Sequence, residues 1–236
     1  MTIRNLQFLF RPASVGLLSA GDHSASDAAL LHNLYGGGFT GEIFLISREA
    51  RTLQGKPTYR KLSRLPKAPE LAIIATPSDT VPALIADLGT LGTKAAVVIN
   101  SFPTHDWPER RQAMLDAARP YLLRLAGPAC HAMLAPGQGI NIGFSPVQPR
   151  PGPVAFVTQS AAIAMAVLDW AYPRGIGFSQ VIALGAMVDV DFGDLLDYLT
   201  DDSATQAILL YLETITQARK FMSAARAAAR VKPVRQ

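Results

Sequence analysis

Short apolar runs alternate with helical patterns along the first half of the chain. The predicted strands are Ser14–Leu18, Ile43–Ile46, Leu71–Ala75 and Ala95–Ile99. The predicted helices are Ser26–Tyr35, a helix that follows Pro77-Ser78-Asp79 and runs through Leu88, and Pro108–Leu125, which Pro120 is expected to end or kink. The runs are continuously apolar, which is typical of strands buried on both faces of a parallel sheet. The first half therefore predicts a doubly wound α/β domain, which binds its ligand at the carboxyl ends of the strands.

The second half repeats this construction after a break. Ser145–Pro153 is rich in proline and polar, as in a linker. A strand at Val154–Val157 and a helix at Ala161–Ala171 follow, and a polar-capped helical pattern then separates the apolar runs Val181–Leu184 and Ala207–Leu212. This order is typical of parallel βαβ units. We predict three regions: a first domain over 1–144, a linker over 145–153 and an incomplete second domain over 154–236.

Composition narrows the class of protein. Of the 236 residues 49% are hydrophobic and 17% are charged, which indicates a folded chain with a substantial core. The net charge is +4, and six basic residues follow Glu213 without any acid among them. We interpret them as charges near a helix C-terminus and as solubilising groups. An anion or nucleic-acid docking face is the less favoured alternative, because no aromatic residues that could stack on bases lie among them.

The single cysteine, Cys130, excludes an internal disulfide and fits a reducing compartment. We interpret it as an inert, packed thiol. The start of the chain lacks a signal-peptide pattern, and no apolar run reaches the length of a membrane span. We therefore expect a cytoplasmic protein that binds neither membrane nor nucleic acid.

The loops that follow the predicted strands carry the candidate chemistry. Ser19, Ala20 and Gly21 open a glycine-containing loop before a helix, where backbone amides and the helix N-terminus could hold a phosphate, and His23 in the same loop could contact it. The dinucleotide fingerprint G-x-G-x-x-G is absent, so an ordinary turn is the alternative. Arg48 follows the second strand and suits a phosphorylated ribose, whereas a NAD site would place an acid there.

A second candidate anion site follows the strand at Val154–Val157. Gln159 and Ser160 precede a helix, and free amides there could bind an anion, although simple capping would explain them too. Asp189, Asp191 and Asp194 cluster before another helix. Carboxylates in such a group could bind a metal ion, but we interpret Asp194 as a charge that complements the helix dipole and do not predict a metal site.

Several sequence motifs along the chain resemble those of one protein family. L-F-R-P-A-S-V-G-L-L near the start, L-A-G-P-A-C at Leu125–Cys130, V-A-F-V-T-Q-S at Val154–Ser160 and the stretch from Gly175 to Pro233 carry the resemblance. They are similar to nucleoside-diphosphate-forming acyl-CoA synthetases, in the part related to the succinyl-CoA synthetase α subunit, which bacterial protein lysine acetyltransferases share. The resemblance implies a Rossmann-like CoA-binding domain with a parallel sheet, followed by a partial flavodoxin-like succinyl-CoA-ligase domain.

The resemblance also implies a ligand and its contacts. CoA or acyl-CoA would place its phosphates on the loop at Ser19–Gly21 and its ribose phosphate near Arg48. Its adenosine and pantetheine would pass the ends of the third and fourth strands, at Thr76, Pro77, Asn100 and Ser101. The phosphohistidine segment and the ATP-grasp domain of the synthetases are not in this sequence, so turnover would need an ATP-grasp or acetyltransferase partner. Whether the protein forms a homo-oligomer is left open by the sequence.

Several ligand-facing loops depart from the family pattern. The family's I-G-A-S is Leu18-Ser19-Ala20-Gly21 here, and a serine in place of glycine hinders close approach of a pyrophosphate to the backbone. G-P-N-C has become G-P-A-C, so that Ala129 stands where the family has asparagine. A non-catalytic regulator or scaffold without tight CoA binding is therefore the alternative function, and an NADP-dependent oxidoreductase is a weaker one.

Overall fold

The computed structural model describes residues 3–21, 25–103 and 107–235, with residues 25 and 26 described by their backbone only. The strands are β1 (Ser14–Ser19), β2 (Glu42–Ser47), β3 (Thr52–Leu53), β4 (Lys56–Pro57), β5 (Leu71–Ala75), β6 (Ala95–Val98), β7 (Arg124–Ala126), β8 (Ala132–Ala135), β9 (Ile140–Gly143), β10 (Pro151–Thr158), β11 (Phe178–Ala183), β12 (Ala207–Tyr211) and β13 (Val234–Arg235). The helices are α1 (Gln7–Phe10), α2 (Ala25–Gly36), α3 (Val81–Leu91), α4 (Trp107–Ala118), α5 (Ala161–Ala171), α6 (Phe192–Asp201) and α7 (Ala218–Ala229).

The first sheet contains five parallel strands in the order β2-β1-β5-β6-β7. This is the 2-1-3-4-5 order of doubly wound folds, whose ligand crevice lies where the strand order reverses, between the first and third strands. The register places Ser19 opposite both Ser47 and Ala75. The ends of β1, β2 and β5 therefore lie side by side at one edge of the sheet. The predicted α/β class with a parallel first sheet is confirmed.

The predicted helix Pro108–Leu125 is too long. α4 ends at Ala118, Arg119–Tyr121 forms a 3-10 turn that contains Pro120, and Leu122 adopts a left-handed backbone with φ 55°. The apolar residues after this turn form β7, which pairs with β6 as the fifth strand of the sheet. Proline stops the helix, and strand pairing then decides the conformation of the segment that follows.

The second sheet is mixed and has the order β13-β12-β10-β11-β8-β9. β10, β11, β12 and β13 are parallel, as expected, whereas the hairpin of β8 and β9 adds to β11 in antiparallel orientation. The hairpin was not predicted from the sequence. Its two strands precede residue 144 in the chain and yet belong to the second sheet, and β10 already begins at Pro151. The predicted domain boundaries stay a prediction.

The two sheets share one hydrophobic core. A single buried cluster contains Leu17 and Ile73 of the first sheet together with Ile182 and Ile208 of the second. Between the sheets, Phe10 of α1 stacks on Tyr198 of α6, with ring centroids 4.9 Å apart. Among the described residues, none of the helices has both the length and the apolar content that crossing a bilayer requires.

Candidate ligand-binding cleft

A cleft of about 1110 Å³ opens at the carboxyl edge of the first sheet. The ends of β1, β2 and β5 meet there, because the register aligns Ser19, Ser47 and Ala75. Its large apolar side chains are Leu18, Ile46, Leu62, Leu84 and Leu91. The cleft lies beside the point where the strand order reverses, which is the usual ligand position in an open α/β sheet.

The cleft is lined by more basic than acidic side chains. Its charged residues are the bases Arg48, Arg60, Lys61 and Arg64 and the acids Glu49 and Asp87. A charge balance of this kind attracts a polyanionic ligand. Of the site residues predicted from the sequence, Ser19, Ala20, Arg48, Thr76 and Pro77 line this cleft.

Arg60 and its neighbours were missed by the sequence reading. After β3 and β4 the chain returns along the free edge of β2, where Tyr59 N–H donates to Leu45 O at 2.8 Å and Ser47 N–H donates to Tyr59 O at 3.0 Å. The following residues therefore reach the carboxyl edge of the sheet. Arg60 fixes the end of β2 there, since its Nη2 donates to the Arg48 carbonyl at 2.9 Å. The basic run R-K-L-S-R was the available signal.

The loop after β1 already uses some of its polar groups internally. The buried Ser19 hydroxyl donates to Asp27 Oδ2, and the Gly21 N–H donates to Ser19 Oγ at 3.0 Å. Gly21 has φ 91°, and a Cβ there would lie 2.6 Å from Ser47 Oγ, so glycine is required. Gly21 packs beside the cleft, and His23 lies outside the described residues.

Asn100 and Ser101 follow β6, next to the cleft rather than in its lining. The Asn100 side chain donates from Nδ2 to the Thr76 carbonyl at 2.8 Å, which ties together the loops that follow β5 and β6. Ser101 is exposed. Near Thr76, the Thr80 hydroxyl lies 2.9 Å from Thr76 Oγ1. Asn100 therefore acts on the shape of the cleft through the backbone of Thr76, and direct contact with a ligand stays a prediction for Asn100 and for Ser101.

Gln159 and Ser160 lie at the carboxyl edge of the second sheet. Ser160 is the N-cap of α5 and accepts from Ile163 N–H at 3.3 Å. The Gln159 side chain accepts from the backbone N–H groups of Glu213 and Thr214 at 2.7 and 2.8 Å, and donates to Thr214 Oγ1 at 2.7 Å. Both side chains thus have partners within the protein that tie β10 to α5 and to the loop after β12. An anion site there stays a prediction.

The aspartates near α6 form ion pairs. Asp191 and Asp194 make a capping box at the start of α6, and Lys220 Nζ lies 2.9 Å from Asp191 Oδ1 and 2.6 Å from Asp194 Oδ2. Arg124 Nε lies 2.8 Å from Asp189 Oδ2. Two cations therefore occupy this carboxylate cluster, and in the described part of the chain no group of metal-ligating side chains was found. Asp194 lies in the first turn of α6, as predicted, whereas Asp189 precedes the N-cap residue Asp191.

Cys130 is fully buried, and burial raises the pKa of its thiol to about 12, as expected for an inert thiol.

Two of the C-terminal basic residues have partners within the protein. Lys220 pairs with the aspartates of α6, and Lys232 Nζ donates to the carbonyls of Leu199 and Asp202 at 2.6 and 2.7 Å. Lys232 therefore provides a hydrogen-bond donor for carbonyl groups at the C-terminal end of α6.

A doubly wound domain with a basic cleft at its strand ends belongs to the class of nucleotide-type ligand binders. Comparison with known families is more specific. Residues 15–136 match the family described as CoA binding domain, and residues 151–234 match the succinyl-CoA ligase like flavodoxin domain. The chain belongs to the CoA-binding domain family, and its second part carries the flavodoxin-like domain of succinyl-CoA ligases.

Characterised relatives agree with this assignment. The chain is 33% identical over 233 residues to the ADP-forming acetate–CoA ligase I of Archaeoglobus fulgidus, which covers 97% of this chain and 34% of that protein. It is 29% identical over 238 residues to the α subunit of ADP-forming acetate–CoA ligase I of Pyrococcus furiosus, covering 98% and 52% of the two chains. The chain thus spans only about a third to a half of the relatives it matches.

A solved structure has the same fold throughout this chain. The apo form of the dinucleotide forming acetyl-coenzyme A synthetase 1 of Ca. Korarchaeum cryptofilum superposes with a TM-score of 0.90 at 33% identity, over 97% of this chain and 51% of that one. The resemblance inferred from the sequence motifs is therefore confirmed.

Proposed function

We propose that this chain binds CoA or acyl-CoA in the cleft at the ends of β1, β2 and β5. The observation that carries the proposal is the concentration of Arg48, Arg60, Lys61 and Arg64 in a cleft beside the reversal of strand order, within a domain of the CoA-binding family. CoA carries a diphosphate and a ribose phosphate at one end and an uncharged pantetheine arm at the other. A cleft with basic groups and an apolar part complements both ends.

The proposed role is that of the α-type part of a nucleoside-diphosphate-forming acyl-CoA synthetase. Support comes from the Pyrococcus furiosus relative, which is named a subunit α and is matched over 52% of its length. We propose that turnover requires a further protein part, either an ATP-grasp or an acetyltransferase unit, and that the protein works in the reducing cytoplasm. Within this role Arg48 would hold the ribose phosphate.

A thermal shift measurement tests CoA binding. CoA and acetyl-CoA should stabilise the protein, since a ligand at about 100 times its Kd adds about 2.7 kcal/mol, whereas NADPH should give no shift. Arg48→Glu should abolish most of the CoA shift, because it reverses a charge in the cleft. Arg226→Glu, an exposed substitution on α7, is the matched control and should leave the shift intact.

The same measurement separates the alternatives. A regulator or scaffold without tight CoA binding is favoured by one observation, the use of the Gly21 amide by Ser19 within the loop. That function predicts no shift with any of the three compounds. A shift with NADPH alone would favour the oxidoreductase and contradict the proposal, as would a CoA shift that Arg48→Glu leaves unchanged.

A further inference from the structure

The Asp27 carboxylate lies near the N-terminus of α2, the helix that follows the loop after β1. Asp27 is in the first turn of α2 and is 5% exposed, and Ser19, at the end of β1, is 4% exposed. The Ser19 hydroxyl donates to Asp27 Oδ2 and its oxygen accepts from the Gly21 N–H at 3.0 Å. Asp27, Ser19 and the Gly21 amide thus form a hydrogen-bonded chain from the helix to the loop.

These hydrogen bonds involve the two features of a βα loop that ordinarily hold a phosphate. Loop amides donate to phosphate oxygens, and the positive end of the helix dipole stabilises the anion. Here the Gly21 N–H already donates a hydrogen bond to Ser19 Oγ, and the Asp27 carboxylate places a negative charge within the first turn of α2. A diphosphate at the same place would meet a like charge and an amide that already has an acceptor.

We propose that the Ser19–Asp27 pair is a built-in substitute for ligand phosphate, so that Asp27 limits the affinity of the cleft for the CoA diphosphate. The inference rests on the proposed function and deepens it. The ligand phosphates are then held mainly by the side-chain cations contributed by the end of β2 and by residues 60–64. Asp27 is an affinity-determining residue.

The test removes the charge and keeps the shape. In Asp27→Asn the side-chain oxygen still accepts from the Ser19 hydroxyl, while the negative charge is gone. Calorimetric titration should show CoA binding about tenfold tighter than in the wild type, because the substitution removes one buried charge that repels the ligand diphosphate. Inorganic pyrophosphate, which has only the diphosphate group of CoA, should also bind Asp27→Asn more tightly than the wild type, by a similar factor.

Asp79→Asn is the matched control. Asp79 is an exposed carboxylate in the turn before α3, at the same edge of the sheet, and it does not line the cleft. Asp79→Asn raises the net charge by the same one unit as Asp27→Asn and should change both affinities by less than about twofold, because an exposed charge is screened. Asp27→Ser, which is neutral and smaller, is a second variant in case asparagine disturbs the fold, and thermal melting checks both.

The results separate the inference from the proposed function. If the wild type binds CoA and neither folded Asp27 variant binds CoA or pyrophosphate more tightly than Asp79→Asn does, the inference is wrong and the proposed function stands. If the Asp27 variants bind CoA tightly and the wild type only weakly, the inference is supported. If CoA and pyrophosphate bind to none of the proteins, both are wrong.

Discussion

At the scale of single residues, Ala129 has a backbone conformation that alanine disfavours. Its φ is 59°, in the left-handed region, within the loop that joins β7 to β8. The backbone around it is tightly packed, since its N–H donates to the Asn100 carbonyl at 3.3 Å and its own carbonyl oxygen lies 2.6 Å from the position that a Cβ on Gly185 would take. The surrounding contacts therefore impose the conformation on Ala129.

Replacement of Ala129 should stabilise the protein. Asparagine and glycine adopt the left-handed region more readily than alanine, so Ala129→Asn and Ala129→Gly should each raise the free energy of unfolding by about 0.5–1 kcal/mol. Urea unfolding monitored by circular dichroism measures the change. Ala117→Gly, in the helical backbone of α4, should instead lower the stability. Loss of stability in both Ala129 variants would contradict the strain argument.

The sequence predicted the site residues that directly follow strands. Ser19, Arg48 and Thr76 could be found because the carboxyl ends of parallel strands meet at one edge, whatever the loops do. Arg60, Lys61 and Arg64 could not, because their position depends on the return of the chain along β2 through the Tyr59 hydrogen bonds. Asp27 was also missed, since its contact with Ser19 depends on how the loop between them closes.

At the scale of elements, ion pairs join β7 to α6 and α6 to α7. Arg124 contacts Asp189 and Asp194, and Lys220 contacts Asp194 and Asp191. The pKa of Arg124 is raised: burial alone would lower it, but the charges of Asp189 and Asp194 and their hydrogen bonds outweigh that effect. The network therefore joins an edge strand of the first sheet to helices that pack on the second.

Removal of Arg124 should weaken the protein strongly. Arg124→Ala leaves Asp189 and Asp194 partly uncompensated in a site where the Arg124 side chain is only 11% exposed, so we expect a loss of about 2–4 kcal/mol in the free energy of unfolding. Chemical denaturation measures it. Arg119→Ala removes an exposed pair with Asp116 and should cost less than about 1 kcal/mol. Equal effects of the two substitutions would contradict a structural role for the network.

The elements found from sequence share one property. β1, β5, β6 and α5 were predicted because long apolar runs or clear helical spacing fix their type locally. The hairpin of β8 and β9 was not, because its two short strands are separated by Pro136 and Gly137 and their partner, β11, lies far along the chain. Beyond α4, Leu122, Leu123 and Leu125 continued a helical spacing that proline and strand pairing override.

At the scale of the whole molecule, the two sheets share one buried core. The largest buried cluster draws on both sheets, and Arg11 pairs with Asp202 at 2.6 Å between α1 and the end of α6. Asn33 of α2 also donates to the carbonyls of Gly143 and Ser145 at 2.7 and 3.0 Å. We expect the two halves to unfold together, since neither can lose its contacts without exposing the core of the other.

The two tryptophans allow this to be measured. Trp107 lies on α4 beside the first sheet, and Trp170 lies on α5 beside the second. In the single-tryptophan variants Trp107→Phe and Trp170→Phe, fluorescence should follow urea unfolding with the same slope and with midpoints that agree with circular dichroism of the same variant. A fluorescence transition that precedes the loss of ellipticity in either variant would show that the halves unfold separately.

The position of the β8–β9 hairpin has a consequence for synthesis on the ribosome. The hairpin, which ends at Gly143, leaves the exit tunnel before β11 (Phe178–Ala183), the strand that it pairs with, has followed it out. Until then buried residues such as Met133, Leu134 and Ile142 have no second sheet to pack against. The nascent chain thus carries an exposed apolar ribbon for a few seconds at ordinary elongation rates of about 5–20 residues per second, and this interval is when a chaperone would protect it from aggregation.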